Sequence, residues 1–376
     1  MTNDKKDLVA MKLLHYFITE KNYSPVIVHG IQNEIWLENM DNNYKIVRIV
    51  MNYIHNKEQL DFDDFKVSRL TKQIKFKTFT FSMKGMSIYL DINDNLCLND
   101  TKNNYKVWYK SDKALIKNEI IKNNFPDITD KLKFTEEGAN LYKKINEDIL
   151  RKNLNESEKI EELFTKKKPF VTYTLIIIMF VLMILMSVFG SGSTSINTLK
   201  KFGALIKDKN PIGLISSMFL HIGLIHFILN AWALKILGEQ TESFYGHIKM
   251  LIIFIYSGIV GNLLSLILMP SNTISAGASG AIFGLMGSIL YFALNQRTYM
   301  AEALRKQILP VIIVNLMLGF VISGINMYAH LGGLIGGMII SIALGVKYKT
   351  SKSEKINGFI ASVILIGVLS YLAYFA

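Results

Sequence analysis

A few polar side chains stand out because almost everything around them is apolar. They are Ser279 in ISAGASGAIFGLMG, His330 in AHLGGLIGG, and His226 and Asn230 in MFLHIGLIHFILN, which also carries His221. A serine hydroxyl beside an imidazole can attack an acyl carbon as the ring takes its proton, and the same ring can then protonate a leaving amine. The oxyanion formed in that step needs donors. The side chains of Asn230 and His226, the backbone N–H of Ser279 and the positive end of the helix that Ser279 begins are the candidates. No acid lies near these residues in their apolar stretches, so a Ser–His dyad without an orienting carboxylate is the economical reading. Gly277 allows a tight turn just before the serine. The string is not the G-x-S-x-G elbow of soluble hydrolases, because Ala281 stands where the second glycine would be.

These residues need elements to hold them, and the composition says which. The chain of 376 residues is 50% hydrophobic, but that average hides a break at Lys166, Lys167 and Lys168. Of the 42 Lys and Arg, 13 follow residue 168, as do 5 of the 30 acids, leaving +8 there and +4 before it. The basicity belongs to a membrane half and is no nucleic-acid signal. Beyond the break, seven apolar spans are expected at 169–190, 214–237, 247–268, 279–295, 307–323, 327–346 and 356–375, several near the length of about 20 residues that crosses a bilayer. Lys166 to Lys168 precede the first span, and Lys249, the group Arg297, Arg305 and Lys306, and the group Lys347, Lys349, Lys352 and Lys355 fall in alternate loops after it. The positive-inside rule therefore places them, and the N-terminus, in the cytoplasm of a multi-pass plasma-membrane protein, with Ser279 toward the outer face. The long outer loop 191–213, with Lys200, Lys201, Lys207 and Lys209 against Asp208, is the partial exception.

Within that topology the polar residues sit at one depth, where ionisable groups face the protein interior or a water-filled cavity. His226 and Asn230 share a helical face, whereas on a continuous helix His221 points roughly 140° away from His226. That divergence argues against a zinc hydrolase built on His221, His226 and His330. Gly280, Gly284 and Gly287 form a bare stripe after Ser279, and Gly333 and Gly337 form one after His330. Small residues let membrane helices approach closely, so two facing stripes bring Ser279 and His330 within hydrogen-bond reach. Taken singly, a Gly-Ala-Ser-Gly string is a packing motif and a membrane histidine a structural or proton-relay residue. The combination of H-x4-H-x3-N, G-x-S-G and A-H-x-G-G on three spans is what points to catalysis.

Before the break, residues 1–134 read as a mixed α/β domain: an amphipathic helix over Leu8–Thr19, short β-rich runs (PVIVHG, EIWLENM, YKIVRIVM), a helix near 57–72, and two strands in FTFSMKGMSIYLDI bending at Gly85. Residues 135–168 read as a charged helical linker starting at Thr135 in TEEG. Asp61, Asp63, Asp64, Asp91 and Asp94 are weak candidates for a divalent cation but lack calcium-loop spacing, so solvated surface acids is the preferred reading. Cys97 is the single cysteine and excludes an intrachain disulfide. The start, MTNDKKDLVA, has no apolar h-region of a signal peptide. The sequence stops inside its last apolar stretch, YLAYFA, which leaves open a natural C-terminal extension.

The motifs resemble the rhomboid family of intramembrane serine proteases. Residues 169–376 fit its six-helix core with a seventh helix appended, an all-α polytopic fold behind the soluble α/β domain. Gly277-Ala278-Ser279-Gly280 matches the family's nucleophile motif, Ala329-His330-Leu331-Gly332-Gly333 its general base, and His226 and Asn230 its oxyanion residues. His221 matches its more structural second-helix histidine, Phe283 the aromatic stacked on the catalytic histidine, and Leu237–Gly246 (LGEQTESFYG) the segment between helices two and three. The Trp-Arg pair often found before the second helix is missing from NPIGLISS. The large front domain is similar to the arrangement in a Gram-positive bacterial group. The resemblance implies a serine endopeptidase without metal or organic cofactor. It also implies single-span membrane-protein substrates entering from the bilayer between helices two and five, and links to other membrane quality-control proteins. The alternative within the resemblance is a proteolytically silent rhomboid-like binder that recruits membrane proteins for degradation, which would be expected to lack the serine or the histidine.

Overall fold

The computed structural model describes residues 3–28, 30–78, 80, 82–207, 211–271, 273–322 and 324–375. Asp208 and Lys209 of the long loop, and Phe79 and Phe81 of FTFSMKGMSIYLDI, lie outside the described residues. The chain divides into two compact units, Met1–Glu158 and Lys159–Ala376.

Among the described residues, the first unit holds a five-stranded sheet in the order β1 (Ser24–Val26), β2 (Glu34–Glu38), β3 (Tyr44–Val50), β4 (Lys84–Tyr89), β5 (Asn104–Trp108). β1 to β3 are antiparallel, and β4 and β5 continue the sheet in parallel. The parallel step needs a crossover, and α2 (Lys57–Lys77) supplies it, capped by Asn56, which accepts from the Gln59 N–H at 2.9 Å. β3 is rich in Val and Ile because both its faces are covered: Val47 and Ile49 join a core with α1 (Asn3–His15), and Ile46 packs with Val67 of α2. Gly85 does not bend two strands; it lies inside β4, paired with Asn104. Three short helices follow, α3 (Asp112–Leu115), α4 (Glu119–Asn124) and α5 (Ile128–Lys131), then α6 (Gly138–Phe164). α6 begins three residues later than TEEG suggests, because the Thr135 hydroxyl goes to Glu136 instead of capping the helix.

Asp63 and Asp64 are not solvated surface acids. Arg48 of β3 is 1% exposed and meets Asp63, 4% exposed, at 2.6 Å and Glu34 at 2.9 Å, with Lys66 2.9 Å from Asp63 and the Tyr89 hydroxyl donating to Asp63 at 2.7 Å. Asp64 pairs with Lys106 at 2.5 Å and Asp91 with Lys6 at 2.6 Å, while Asp61 and Asp94 are exposed. The register explains the burial: Trp36, Arg48, Ser87 and Lys106 are paired across four strands, so the two cations share the sheet face covered by α2. Burial alone would raise the Asp63 carboxyl, but Arg48 and then Lys66 outweigh it and hold the group below the ordinary carboxylate range. Such a group adds stability above its unfolded pKa of about 4, lost as pH falls through the lower folded value. Acid unfolding of this unit, followed by Trp emission in the full chain, should therefore steepen below about pH 4. Asp63→Asn should flatten that dependence. Asp63→Ala should cost about 3 kcal/mol at neutral pH by leaving Arg48 buried without its main partner. An unchanged acid profile in Asp63→Asn would dismiss the pair as its source.

The second unit is helical: α7 (Phe170–Val188), short α8 (Ile196–Lys201) and α9 (Gly213–Ser216), α10 (Leu224–Tyr245), α11 (His247–Leu268), α12 (Ser279–Asn295), α13 (Arg297–Ala303), α14 (Leu309–Val321), α15 (Met327–Leu344) and α16 (Lys352–Tyr374). Among the described residues, five helical stretches are long and apolar enough to cross a membrane: α7, α11, α13 with α14, α15 and α16. A sixth span counts if the segment Gly213–Phe219 and α10, which meet at 93°, are taken together, and the 17-residue α12 is shorter and equally apolar. Their outward faces keep Ile, Val, Leu and Phe exposed, as lipid requires. The second expected span departs from a single straight helix, since 214–237 is broken at 220–223 and the helix proper runs on to Tyr245; the fifth, expected from 307, begins at Arg297. At that far end Glu242, fully buried, accepts from the N–H groups of Val171 and Thr172 at 2.8 and 2.9 Å and from His247 at 2.5 Å, capping α7 from a neighbouring helix.

Candidate active site

Three helices bring the singled-out residues to one end of the second unit. α12 starts at Ser279, α15 carries His330 in its first turn, and α10 carries His226 and Asn230 in its first two turns. The glycine stripes do face each other. A Cβ on Gly333 would stand 1.9 Å from the Gly280 carbonyl oxygen and one on Gly337 2.0 Å from that of Gly284, so α12 and α15 touch backbone to backbone. Gly280 follows Ser279 and a Cβ on it would meet the Ala329 carbonyl, just before His330, at 3.1 Å. The contact thus gathers both residues at one junction, with Ser279 partly exposed and His330 buried. The expected hydrogen bond between them is not formed among the described residues. The imidazole instead stacks on Phe283, 4.1 Å away and 15° from parallel, with Nδ1 unpartnered. Such bonds are often long in a free site and tighten with substrate.

The break at 220–223 changes the geometry of the two other histidines. Gly223 has φ +82°, and His221 lies before the helix instead of on it. Its fully buried ring meets His226 edge-on at 5.3 Å and Phe227 at 5.6 Å, so the two histidines do not diverge. The helical-wheel argument against a zinc site therefore does not hold for this pair. Among the described residues no three metal-ligating side chains come together. His226 accepts the Ile222 N–H at Nδ1, 3.4 Å, which puts the proton of the neutral ring on Nε2. That edge faces Gly277, where a Cβ would lie 3.0 Å from Nε2 and 2.8 Å from Cε1. Gly277 is required twice over, since its φ is +147°. Asn230 is buried and donates one amide hydrogen to the His226 carbonyl at 3.0 Å, leaving the other.

The loop before Ser279 is held by residues that sequence reasoning did not single out. Asn326 caps α15, accepting from the Ala329 N–H at 3.1 Å, and its amide donates to Ser265 at 2.5 Å and Ser275 at 2.9 Å. One side chain thus ties the start of the His330 helix to the end of α11 and to the approach to Ser279. Asn262 of α11 donates to the Leu214 carbonyl at 2.8 Å and the Ser217 hydroxyl at 2.9 Å, and the Ser217 carbonyl accepts from Gly277 N–H at 2.9 Å. Leu205 and Ser275 exchange both backbone hydrogen bonds at 2.9 Å. The available signals were an asparagine three residues ahead of Ala329 at a helix start and a polar residue deep in the third apolar span. Asn326→Ala should lower stability by about 2 kcal/mol, from a lost cap and two serine hydroxyls deprived of their amide donor. Turnover of any reaction at Ser279 should fall with it while KM stays near its starting value. An unchanged melting temperature and rate would remove Asn326 from the site's support.

Comparison with known proteins bears on the family resemblance. Residues 208–347 match the family model described as a Rhomboid domain. The chain is 27% identical over 365 residues to rhomboid protease GluP of Bacillus subtilis (strain 168), covering 92% of this chain and 71% of that one. Putative rhomboid protease YdcA of the same organism is 34% identical over 128 residues, 34% of this chain and 64% of that protein. RHOMBOID-like protein 6, mitochondrial, of Arabidopsis thaliana is 34% identical over 157 residues, 40% of this chain and 50% of that protein. The chain thus spans less than two thirds of the last two.

Proposed function

Since the chain belongs to the rhomboid family of intramembrane serine proteases, we propose that it hydrolyses a peptide bond in, or just outside, the outer end of another protein's transmembrane helix with a Ser279–His330 dyad. In this reading the Ser279 oxygen bonds to the acyl carbon while His330 takes its proton. The tetrahedral species collapses as His330 returns the proton to the departing amine, and a water molecule, deprotonated by the same ring, then releases the acyl group. The oxyanion is met by the Ser279 N–H, an orphan donor of the first helical turn, by the Nε2–H of His226 and by the free amide hydrogen of Asn230. The observation that supports the reading is the junction: Gly280, next to a partly exposed serine at a helix N-terminus, packs against Ala329, next to a histidine stacked on Phe283. The presence of both residues favours the enzyme over a silent rhomboid-like binder. Substrates in this reading are single-span proteins with small residues at the cut and helix-weakening residues beyond it, entering laterally from the bilayer.

Orientation follows from the lysines, with the first unit and the Lys-rich helix ends in the cytoplasm of a plasma-membrane protein and Ser279 open to the outer face. Two measurements test this together. Cleavage of a reporter single-span protein, with fragments weighed by mass spectrometry, should place the cut in the outer end of its span. Cys97, free and exposed, should react with an impermeant maleimide only after the cells are opened. A cut at the inner end, or labelling of Cys97 in intact cells, would refute the orientation.

A further inference from the structure

At the end of the second unit remote from Ser279, three lysines from three separate segments converge. Lys249, in the first turn of α11, donates to the Leu344 carbonyl at 2.8 Å and the Gly345 carbonyl at 3.3 Å, closing the C-terminus of α15. Lys355, in the first turn of α16, lies over the same glycine: a Cβ on Gly345 would be 2.4 Å from its Cε. Lys167, just ahead of α7, has its Nζ 3.9 Å from where a Cβ on Gly246 would lie, one turn before Lys249. Gly246 and Gly345, at φ +85° and +67°, leave bare backbone that makes room for these stems. Lys355 and Lys167 are the like charges that bear on Lys249.

Three ammonium groups brought together repel one another unless an anion joins them. The nearby acids hydrogen-bond elsewhere: Glu162, which also feels the charge of Lys167, to Lys347 and Tyr348, Glu242 to Thr172 and His247, and Glu354 to the Ser351 cap. Lys167 and Lys355 are exposed and Lys249 is half-buried, so the heads are reachable from outside. The level matters too. The cluster lies where α7, α11 and α16 begin and α15 ends, which is the boundary between apolar helix and water where lipid phosphates sit.

We propose that Lys167, Lys249 and Lys355 form a binding site for the phosphodiester headgroup of an anionic membrane lipid. The headgroup would bridge the starts of α7, α11 and α16 and tie the seventh helix to the bundle. The site stands apart from Ser279 and does not depend on the protease reading.

The test uses the full chain in nanodiscs of phosphatidylcholine containing about one third phosphatidylglycerol, followed by release into detergent and native mass spectrometry of retained lipid. Wild type is expected to keep phosphatidylglycerol in preference to phosphatidylcholine. Lys167→Gln with Lys355→Gln should lower that retention about tenfold, whereas Lys200→Gln with Lys201→Gln, at the other end of the unit, should leave it unchanged. Lys249 is left in place because it also closes α15. Lys167→Arg with Lys355→Arg keeps the charge and should keep the lipid, so a loss there would overturn the proposal. So would equal retention of the two lipids, or equal loss in both glutamine pairs. Displacement of the lipid by millimolar inorganic phosphate would show a soluble anion site and would equally overturn it.

Discussion

Ser279→Ala will reduce cleavage of a single-span reporter by about 10³-fold or more, to the level of membranes without the protein, and will abolish labelling by a fluorophosphonate. The reason is chemical. Without the hydroxyl no acyl-enzyme can form, and the remaining donors, His226, Asn230 and the backbone N–H, stabilise a transition state that has no attacking oxygen. The substitution removes one atom from a partly exposed position at the first residue of α12, so the melting temperature should hold. That separates loss of chemistry from loss of fold. His330→Ala should produce a loss of the same order. The double variant should be no worse than either, because two residues that act as one unit are not additive. Additive losses, or residual activity above a few per cent of wild type in Ser279→Ala, would sink the dyad. His226→Ala should cost less, about 10²-fold, as befits one oxyanion donor among several.

The parts of this site that were legible in the sequence are those written in local chemistry. α11 and α12 begin and end at the residues expected, because a charge or a glycine-bounded polar turn marks each end. The facing of the two glycine stripes was legible because, in lipid, bare backbone on two helices has few other uses. The break at 220–223 was not. Hydropathy runs straight through MFLHIGLIHFILN, and Gly223 alone carries the signal, with a φ that no apolar average records. His221 was misplaced for that reason. Asp63 was hidden by register: its partner Arg48 is fifteen residues away on a strand whose apolar pattern leaves no hint that a cation sits on the covered face. Asn326 was invisible in a different way. Its cap is local, but the two serines it joins come from α11 and from the loop before Ser279, and only the packed bundle brings them together.

Gly333→Ala should cost more activity than stability, and Gly337→Ala the reverse. Both added methyl groups would overlap a backbone oxygen of α12 by a similar amount, at 1.9 Å and 2.0 Å, and a carbonyl cannot rotate aside as a side chain can. α12 and α15 must separate in either case, at a cost of about 1–3 kcal/mol for overpacking. What differs is where the wedge falls. Gly333 is one turn from His330 and opposes Gly280, next to Ser279, so separation there is delivered to the junction of the dyad. A displacement of about 1 Å between reacting groups can cost on the order of 10²-fold in rate. Gly337 is a further turn along and opposes Gly284, so part of the strain is spread before it reaches Ser279. The predicted pattern is a comparable drop in melting temperature for the two variants, with a rate loss in Gly333→Ala about tenfold greater. Gly367→Ala on α16, where an added Cβ meets nothing within 4 Å, is the control and should be neutral to both readouts. Equal rate losses at Gly333 and Gly337 would mean that the helices move as rigid rods. In that case the position of the wedge is immaterial, and the separation of α12 from α15 as a whole sets the reach between Ser279 and His330.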